Sequence, residues 1–212
     1  MVFPFNLSPL LNAMSAFELI QETFADHAST VTRFQEQCSE VIAAMAERTV
    51  SCLEAGGKIC FFGNGGSAAD SQHLATEFVV RFTRNRRGLA SIAFTTDTSI
   101  LTACANDFGF EAVFARQVEA ICRPGDIAVG ISTSGSSANV VRALEFARSE
   151  GITTFAFTGA NGGRCGDNAD FLLAVPSPVT ARVQECHLIA GHLLCDLAEL
   201  AFAETTSTIS GS

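Results

Sequence analysis

The chain of 212 residues contains no tryptophan and no tyrosine, and Lys58 is its only lysine. The 18 phenylalanines must therefore supply all the aromatic bulk of the core. Schiff-base chemistry would depend on Lys58 alone, at the start of a candidate strand, so covalent catalysis through lysine is disfavoured. Basic residues are also scarce: 13 face 22 acidic ones, for a net charge of −9. A nucleic-acid partner usually requires the opposite balance, so we expect none.

The eight cysteines include no CxxC pair and lie mostly inside apolar runs, as buried thiols do. They predict a reducing, cytoplasmic environment. Residues 1–15 are apolar but lack a basic segment and a small-residue cleavage site, and they are too short to span a membrane. We therefore interpret them as an N-terminal extension and expect no membrane partner. With 48% hydrophobic and 17% charged residues, the rest of the chain is predicted to fold.

The chain divides into a helical part and an alternating part. Residues 16–56 carry apolar side chains three and four apart without proline, which predicts two N-terminal helices with a break near residues 27–32. Residues 57–204 alternate helical segments with runs that are apolar on both faces, as in covered parallel strands. The predicted strands are 58–62, 90–95, 127–132, 153–158 and 171–175. This alternation predicts an α/β fold, a doubly wound three-layer αβα sandwich, before a polar tail at 205–212.

In such sheets the functional site lies where the strands end, so the loops after the strands matter most. Residues 63–67, with the sequence GNGGS, follow the first strand and enter a helix. Glycines let the backbone approach a ligand closely, and free N–H groups at a helix start favour an anion. An ordinary tight turn explains the glycines equally well, so this loop alone leaves both interpretations open.

Residues 132–137, with the sequence STSGSS, follow the third strand and also enter a helix. Five hydroxyl groups surround one glycine, whereas capping the helix needs only one serine. The excess favours a neutral cradle for a phosphate group. Because no lysine lies nearby, we expect a compact monophosphate rather than a polyphosphate with its metal.

The run at 81–87 holds four arginines. It could form an anion patch. The acidic character of the whole chain favours instead a solvated loop or part of a subunit contact.

Four polar residues on otherwise apolar helices suggest a second site. His73 and Glu77 lie four apart on one helix face, as metal-ligand pairs do. Gln184 and His192 lie about two turns, roughly 12 Å, apart on the last helix, where long side chains could converge. A shared metal or a polar active-site network would explain such residues, and a solvated His–Glu pair is the simpler alternative. His187 lies off this stripe and is expected to pack behind it.

Five segments in order resemble the phosphoheptose isomerase family of sugar-isomerase (SIS) domain proteins. They are GNGGSAADSQHLATEF, TTDTSILTACANDFGF, ISTSGSSANV, TGANGGR and TARVQECHLIAGHLLCDL. The resemblance covers about residues 16–203. It implies a five-stranded parallel sheet and a homotetramer with active sites at subunit contacts. It also implies aldose–ketose isomerisation of D-sedoheptulose 7-phosphate to D-glycero-D-manno-heptose 7-phosphate, the first step toward the nucleotide heptose of lipopolysaccharide.

The resemblance also assigns residues. It implies one Zn²⁺ per subunit, held at the positions of His73, Glu77, Gln184 and His192, with Glu77 as candidate base and His192 as acid/base. The implied substrate contacts fall on Asn64, Gly65, Gly66, Ser67, Glu77, Asn106, Asp107, Ser132, Thr133, Ser134, Ser137 and Gln184. Ala181 stands where some members carry Asp, so no substrate role is transferred to that position.

Two other functions remain open at this point. The chain could be a non-catalytic SIS protein, such as a sugar-phosphate sensor or a regulator of the replication-initiation type. Such relatives lack the full set of two histidines, glutamate and glutamine, and all four are present here, which favours an enzyme. Alternatively, it could isomerise another sugar phosphate, because a hydroxyl cradle binds any phosphomonoester.

Overall fold

A computed structural model of the chain describes residues 15–203. The predicted extension, apart from Ser15, and the predicted tail lie outside these residues. The strands are β1 (Ile59–Gly63), β2 (Ser91–Ala93), β3 (Ile127–Ser132), β4 (Thr153–Gly159) and β5 (Phe171–Val175). The α-helices are α1 (Ala16–Glu54), α2 (Gly66–Val79), α3 (Thr98–Phe108), α4 (Val113–Ile121), α5 (Ala138–Ser149), α6 (Gly163–Asp167) and α7 (Thr180–Phe202). A short 3-10 helix at Phe110–Ala112 precedes α4.

All strand pairs are parallel, in the order β2-β1-β3-β4-β5. Alternate residues of β1 face opposite layers: Ile59 and Phe61 pack with α1, α2 and α7, whereas Cys60 and Phe62 pack with α4 and α5. Every residue of β1 and β3 is buried, because helices cover both faces. The predicted three-layer sandwich with a five-stranded parallel sheet is confirmed.

The prediction of two N-terminal helices with a break near residues 27–32 is wrong. A single helix, α1, runs for 39 residues from a capping box in which Ser15 and Glu18 bond reciprocally. The stretch contains no glycine or proline. Its β-branched and hydroxylic residues do not interrupt the helix, because Thr32 bonds back to the carbonyl of Ala28 and Thr30 is buried. Tertiary packing thus outweighs the weak local propensity of this segment.

The second strand is shorter than predicted. β2 spans three residues instead of 90–95 and pairs only with β1, because it is the edge of the sheet. β1 begins one residue later than expected and ends at Gly63. Both strands therefore deliver their following loops to the same sheet edge.

The cysteines are all buried and free, as expected from the apolar runs around them. Burial raises the pKa of Cys52, Cys165 and Cys186 to about 11. Thiolate is the reactive form, so these thiols act as small hydrophobic side chains.

Candidate active site

The candidate site begins where the strand order reverses. β1 and β3 are neighbours although β2 lies between them in sequence, and loops at such a switch point form a crevice. Asn64 follows β1 and Asn139 lies in the first turn of α5, after β3. Their side-chain amides exchange two hydrogen bonds of 2.8 and 2.9 Å. This pair joins the glycine loop to the hydroxyl loop and holds both at one edge of the sheet.

Two glycines shape the loop after β1. Gly65 precedes α2 with φ of +58°, in the left-handed region, and its carbonyl accepts from the N–H groups of Ala68 and Ala69. A Cβ on Gly66 would lie 2.4 Å from Nε2 of Gln184. Gly66 thus lets this α7 side chain lie against the start of α2. Ser67, also predicted to contact substrate, is buried beneath the loop.

Three hydroxyl groups converge in the loop after β3. Oγ of Ser132 lies 2.9 Å from Oγ of Ser137 and 3.4 Å from Oγ of Ser134. Ser137 occupies the cap position of α5, yet its side chain makes no capping hydrogen bond. Helix capping therefore does not explain this hydroxyl. Ser136 is directed differently, because its Oγ donates to the carbonyl of Ser134.

Gly135 makes the tight turn of this loop possible. Its φ is +66°, and a Cβ there would lie 2.2 Å from the carbonyl oxygen of Gly162. The turn brings Ser134 back toward Ser132. With a helix N-terminus behind the hydroxyls, the loop can accept an anion through neutral donors.

Arg33 of α1 is a residue that sequence reasoning missed. It lines one open cavity together with Thr133, Ser134, Asn161 and Thr180. Its Nη2 donates to Thr30 Oγ1 and to the carbonyl of Pro176, which fixes the guanidinium there. The sequence places this arginine 99 residues before the hydroxyl loop, and the packing of α1 beside β5 brings them together.

The second group of predicted residues meets between α2 and α7. Nε2 of His73 lies 2.8 Å from Nε2 of His192 and 3.7 Å from Oε1 of Glu77. The side chain of His73 is 46% exposed and that of Glu77 is 18% exposed, so the cluster opens to solvent at His73. Phe82 covers the other side of His192, with ring centroids 5.2 Å apart. Gln184 lies nearer the start of α2, against Gly66.

The chemistry of this cluster suits a divalent metal. Burial and, after it, the charge of His73 lower the pKa of His192, while Glu77 acts in the opposite direction. A neutral imidazole is the form that binds metal, and nitrogen and carboxylate donors are those that Zn²⁺ takes. Within residues 15–203, however, no three or more His, Cys, Asp or Glu side chains are arranged as a metal site. The donor types of His73, Glu77 and His192 fit zinc, whereas the side chain of Gln184, the fourth predicted ligand, lies against Gly66 at the start of α2 and not beside them.

Asn106 and Asp107 stand apart from these groups. They lie exposed at the end of α3, and the described structure records a single side-chain hydrogen bond for them, from Asn106 Nδ2 to Asp107 Oδ1 at 2.8 Å. Within one chain they are not brought into contact with the other predicted residues. His187, which lies off the stripe and is expected to pack behind it, is buried and donates through Nε2 to the carbonyl of Thr158.

The interpretation of the arginine run as a solvated loop is wrong at Arg86, while Arg81 and Arg87 are exposed as expected. The side chains of Arg86 and Glu199 are fully buried and form an ion pair of 3.1 Å. Arg84 pairs with Asp196, also on α7. Sequence reasoning missed Glu199 because nothing in its local pattern distinguishes it from a solvated glutamate on a helix.

Comparison with known proteins identifies the family. The family model of the SIS domain matches residues 23–159. The chain is 53% identical over 184 residues to a phosphoheptose isomerase of Paramagnetospirillum magneticum, with 87% of this chain and 96% of the relative covered. This chain belongs to the phosphoheptose isomerase family of SIS-domain proteins.

Other phosphoheptose isomerases agree in sequence and in structure. The one from Aquifex aeolicus is 51% identical over 182 residues, an alignment that covers 86% of this chain and 95% of the relative. The structure of the one from Neisseria gonorrhoeae superposes with a TM-score of 0.82 at 42% identity, over 88% of this chain and 100% of that chain. The resemblance carried by the five sequence segments is confirmed.

Proposed function

We propose that this chain converts D-sedoheptulose 7-phosphate to D-glycero-D-manno-heptose 7-phosphate. The observation that carries the proposal is that the chain holds a hydroxyl cradle after β3 and a His–Glu–His cluster between α2 and α7, and is about half identical to phosphoheptose isomerases. His73 lies seven residues into α2 from Gly66, which corresponds to about 10 Å along the helix. The two groups are thus suited to opposite ends of one sugar phosphate.

Binding would start at the phosphate. Ser132, Ser134 and Ser137 would donate their hydroxyl protons to its oxygens, and Thr133 and the N-terminus of α5 would add polar contacts. The guanidinium of Arg33, which lines a cavity with Thr133 and Ser134, would supply a positive charge beside the phosphate. Asn64, Gly65, Gly66, Ser67 and Gln184 would line the path of the sugar. Asn106 and Asp107 are proposed as contacts across a subunit boundary, since they are remote from the rest within one chain.

The reaction moves one proton between neighbouring carbons. Glu77 would remove a proton from C1 of the ketose while an acid protonates the C2 oxygen, which gives an enediol. Loss of the proton from the C1 hydroxyl and return of a proton to C2 then yields the aldose. His192 would transfer the protons at the oxygens. Each atom of the substrate is retained, so no co-reactant is needed.

We propose one Zn²⁺ per subunit, held by His73, Glu77, Gln184 and His192. When bound, the ion would supply Lewis-acid polarisation of a substrate oxygen. A carboxylate bound to a metal is a weaker base, so the two roles of Glu77 compete. Turnover and zinc content measured on the same variant distinguish them.

The oligomeric state, the cellular location and the absence of a nucleic-acid partner are also proposals. The exposed apolar side chains on the first half of α1 support a homotetramer with active sites at subunit contacts. The buried free thiols support a cytoplasmic location. No helix among the described residues is long and apolar enough to cross a membrane. The acidic net charge supports the absence of a nucleic-acid partner.

The most informative experiment is incubation with a panel of ketose phosphates, followed by NMR with and without a chelator. We expect conversion of sedoheptulose 7-phosphate that the chelator abolishes and zinc restores. Conversion of a different ketose phosphate alone would support the isomerase of another substrate. No conversion of any ketose, with zinc present, would support the non-catalytic SIS protein.

A further inference from the structure

The segment between α2 and β2 is tied to α7 by one buried carboxylate. Glu199 accepts hydrogen bonds from the backbone N–H groups of Phe82, Thr83 and Arg84, at 2.7, 2.8 and 2.8 Å. Arg86 adds an ion pair to the same carboxylate. An unpaired buried charge is strongly unfavourable, and here several donors satisfy the two oxygens. The position of the loop backbone at Phe82 is therefore closely defined.

Arg86 extends this connection to the helix that carries the candidate base. Its Nη2 donates to the carbonyl oxygen of Glu77 at 2.6 Å, and its Nη1 donates to that of Val80 at 3.3 Å. The last carbonyls of a helix lack partners within the helix, so these bonds satisfy the end of α2. One guanidinium thus joins the end of α2 to Glu199 on α7.

The loop places one side chain directly on the candidate site. The ring of Phe82 stacks on the imidazole of His192, with an interplanar angle of 22°. His73 meets the same imidazole edge-on, at 73° and 5.1 Å between centroids. His192 is therefore confined by Phe82 over its face and by His73 at its edge. Phe82 itself takes no part in the proposed proton transfers or substrate contacts.

We propose that Phe82, held in place by Glu199 and Arg86, is a positioning residue that fixes the ring orientation of His192. The inference rests on the proposed isomerase function for its kinetic consequence, but not for the stacking itself. A histidine that transfers protons between neighbouring oxygens must present its nitrogens in one orientation, and small misplacements of catalytic groups reduce rates strongly. Removing the aromatic face should therefore lower the rate of chemistry more than substrate binding.

The matched variants are Phe82→Leu, Phe82→Tyr and Phe171→Leu. Tyr keeps the aromatic face, whereas Leu removes it and keeps most of the apolar volume. Phe171 is the control because it is also a partly buried phenylalanine on the same core cluster, but it packs against Phe155. Loss of packing alone should thus affect Phe82→Leu and Phe171→Leu alike.

Two readouts separate positioning from general packing. The first is the kcat and KM for sedoheptulose 7-phosphate. The second is the NMR signal of the His192 ring in metal-free protein, which is tractable because the chain has four histidines. We expect Phe82→Leu to lower kcat about tenfold or more with KM changed less than twofold, and to shift the His192 ring signals. Phe82→Tyr and Phe171→Leu should both keep the wild-type kcat and the wild-type His192 ring signals.

The proposal is overturned if Phe82→Leu leaves the His192 signals or kcat unchanged, or if Phe171→Leu lowers kcat equally. Failure of the proposed function gives a different pattern. In that case the wild type itself shows no turnover, and the His192 signals still report whether Phe82 fixes the ring.

Discussion

His187 illustrates how one buried side chain sets a pH dependence. It lies on α7 with Nε2 donating to the carbonyl of Thr158, while its buried Nδ1 has no hydrogen-bond partner within residues 15–203. This is the neutral form, and burial lowers the pKa of His187 to about 4. In the unfolded chain, His187 takes up a proton near pH 6.5, where a free histidine titrates. In the native chain, His187 stays neutral until the pH falls to about 4.

Stability should therefore fall as the pH drops from about 6.5 toward 4. The full effect of this one residue is about 3–4 kcal/mol in the free energy of unfolding, from about 1.4 kcal/mol per pKa unit. Urea unfolding at several pH values in wild type and His187→Gln checks this, because the variant should show a shallower dependence. Equal slopes in the two proteins, or a His187 NMR signal that titrates near pH 6.5, would contradict it.

The hydroxyl cradle is also tested one residue at a time. Ser134→Ala should weaken binding of sedoheptulose 7-phosphate about tenfold or more, because a hydrogen bond to a charged group contributes about 1.5–3 kcal/mol. Ser136→Ala is the matched control, since the Ser136 hydroxyl bonds to a backbone carbonyl instead of facing the other hydroxyls. Calorimetric titration of both variants measures the difference. Equal affinities in the two variants would show that Ser134 does not contact the phosphate.

At the scale of elements, the contacts between distant segments are what local sequence patterns miss. Apolar runs predicted β1 and β3 because their burial on both faces leaves a direct mark in the sequence. The continuity of α1 was not predicted, since hydroxylic residues look like a break until their packing is known. The buried pair of Arg86 and Glu199 could not be predicted either, because the partners lie 113 positions apart and each resembles a surface charge.

This pair predicts a large effect on stability. Glu199→Ala leaves Arg86 and three backbone N–H groups without their acceptor, which should lower the free energy of unfolding by about 3–5 kcal/mol. Glu119→Ala removes the partner of Arg116 in an ion pair that is about half exposed. This variant should change the free energy of unfolding by about 1 kcal/mol or less. Urea unfolding of both variants is the measurement. A Glu199→Ala protein as stable as Glu119→Ala would contradict the account of the loop.

At the scale of the whole molecule, α1 presents apolar side chains to solvent. Phe17 and Phe24 are each 69% exposed in the single chain. An exposed apolar patch of this kind marks an interaction surface. The division into helical residues 16–56 and a core at 57–204 stays a prediction. The sequence resemblance implies active sites at subunit contacts, and the apolar side chains of α1 are the reason to expect that the tetramer is built partly through this helix.

Assembly should depend on this surface. Light scattering is expected to show a particle of four chains, each of 22.3 kDa. Replacing both Phe17 and Phe24 with Asp should break it into smaller species, because charges cannot be buried unpaired in an apolar contact. The control variant is Gln35→Asp, which adds a charge at an exposed polar position of the same helix. It should leave the particle of four chains intact. A stable wild-type monomer would contradict the prediction.

The central claim is that Glu77 and His192, 115 positions apart in the chain, act on one substrate. The most direct measurement is turnover of sedoheptulose 7-phosphate by wild type, Glu77→Gln, His192→Asn and the double variant, with bound zinc quantified in each. A general base contributes about 10²–10⁴ in rate, so each single variant should lose at least that much. The double variant should be little worse than either, because residues that act as a unit are not additive. Normal turnover by Glu77→Gln, or a wild type that is inert with zinc bound, would contradict the account.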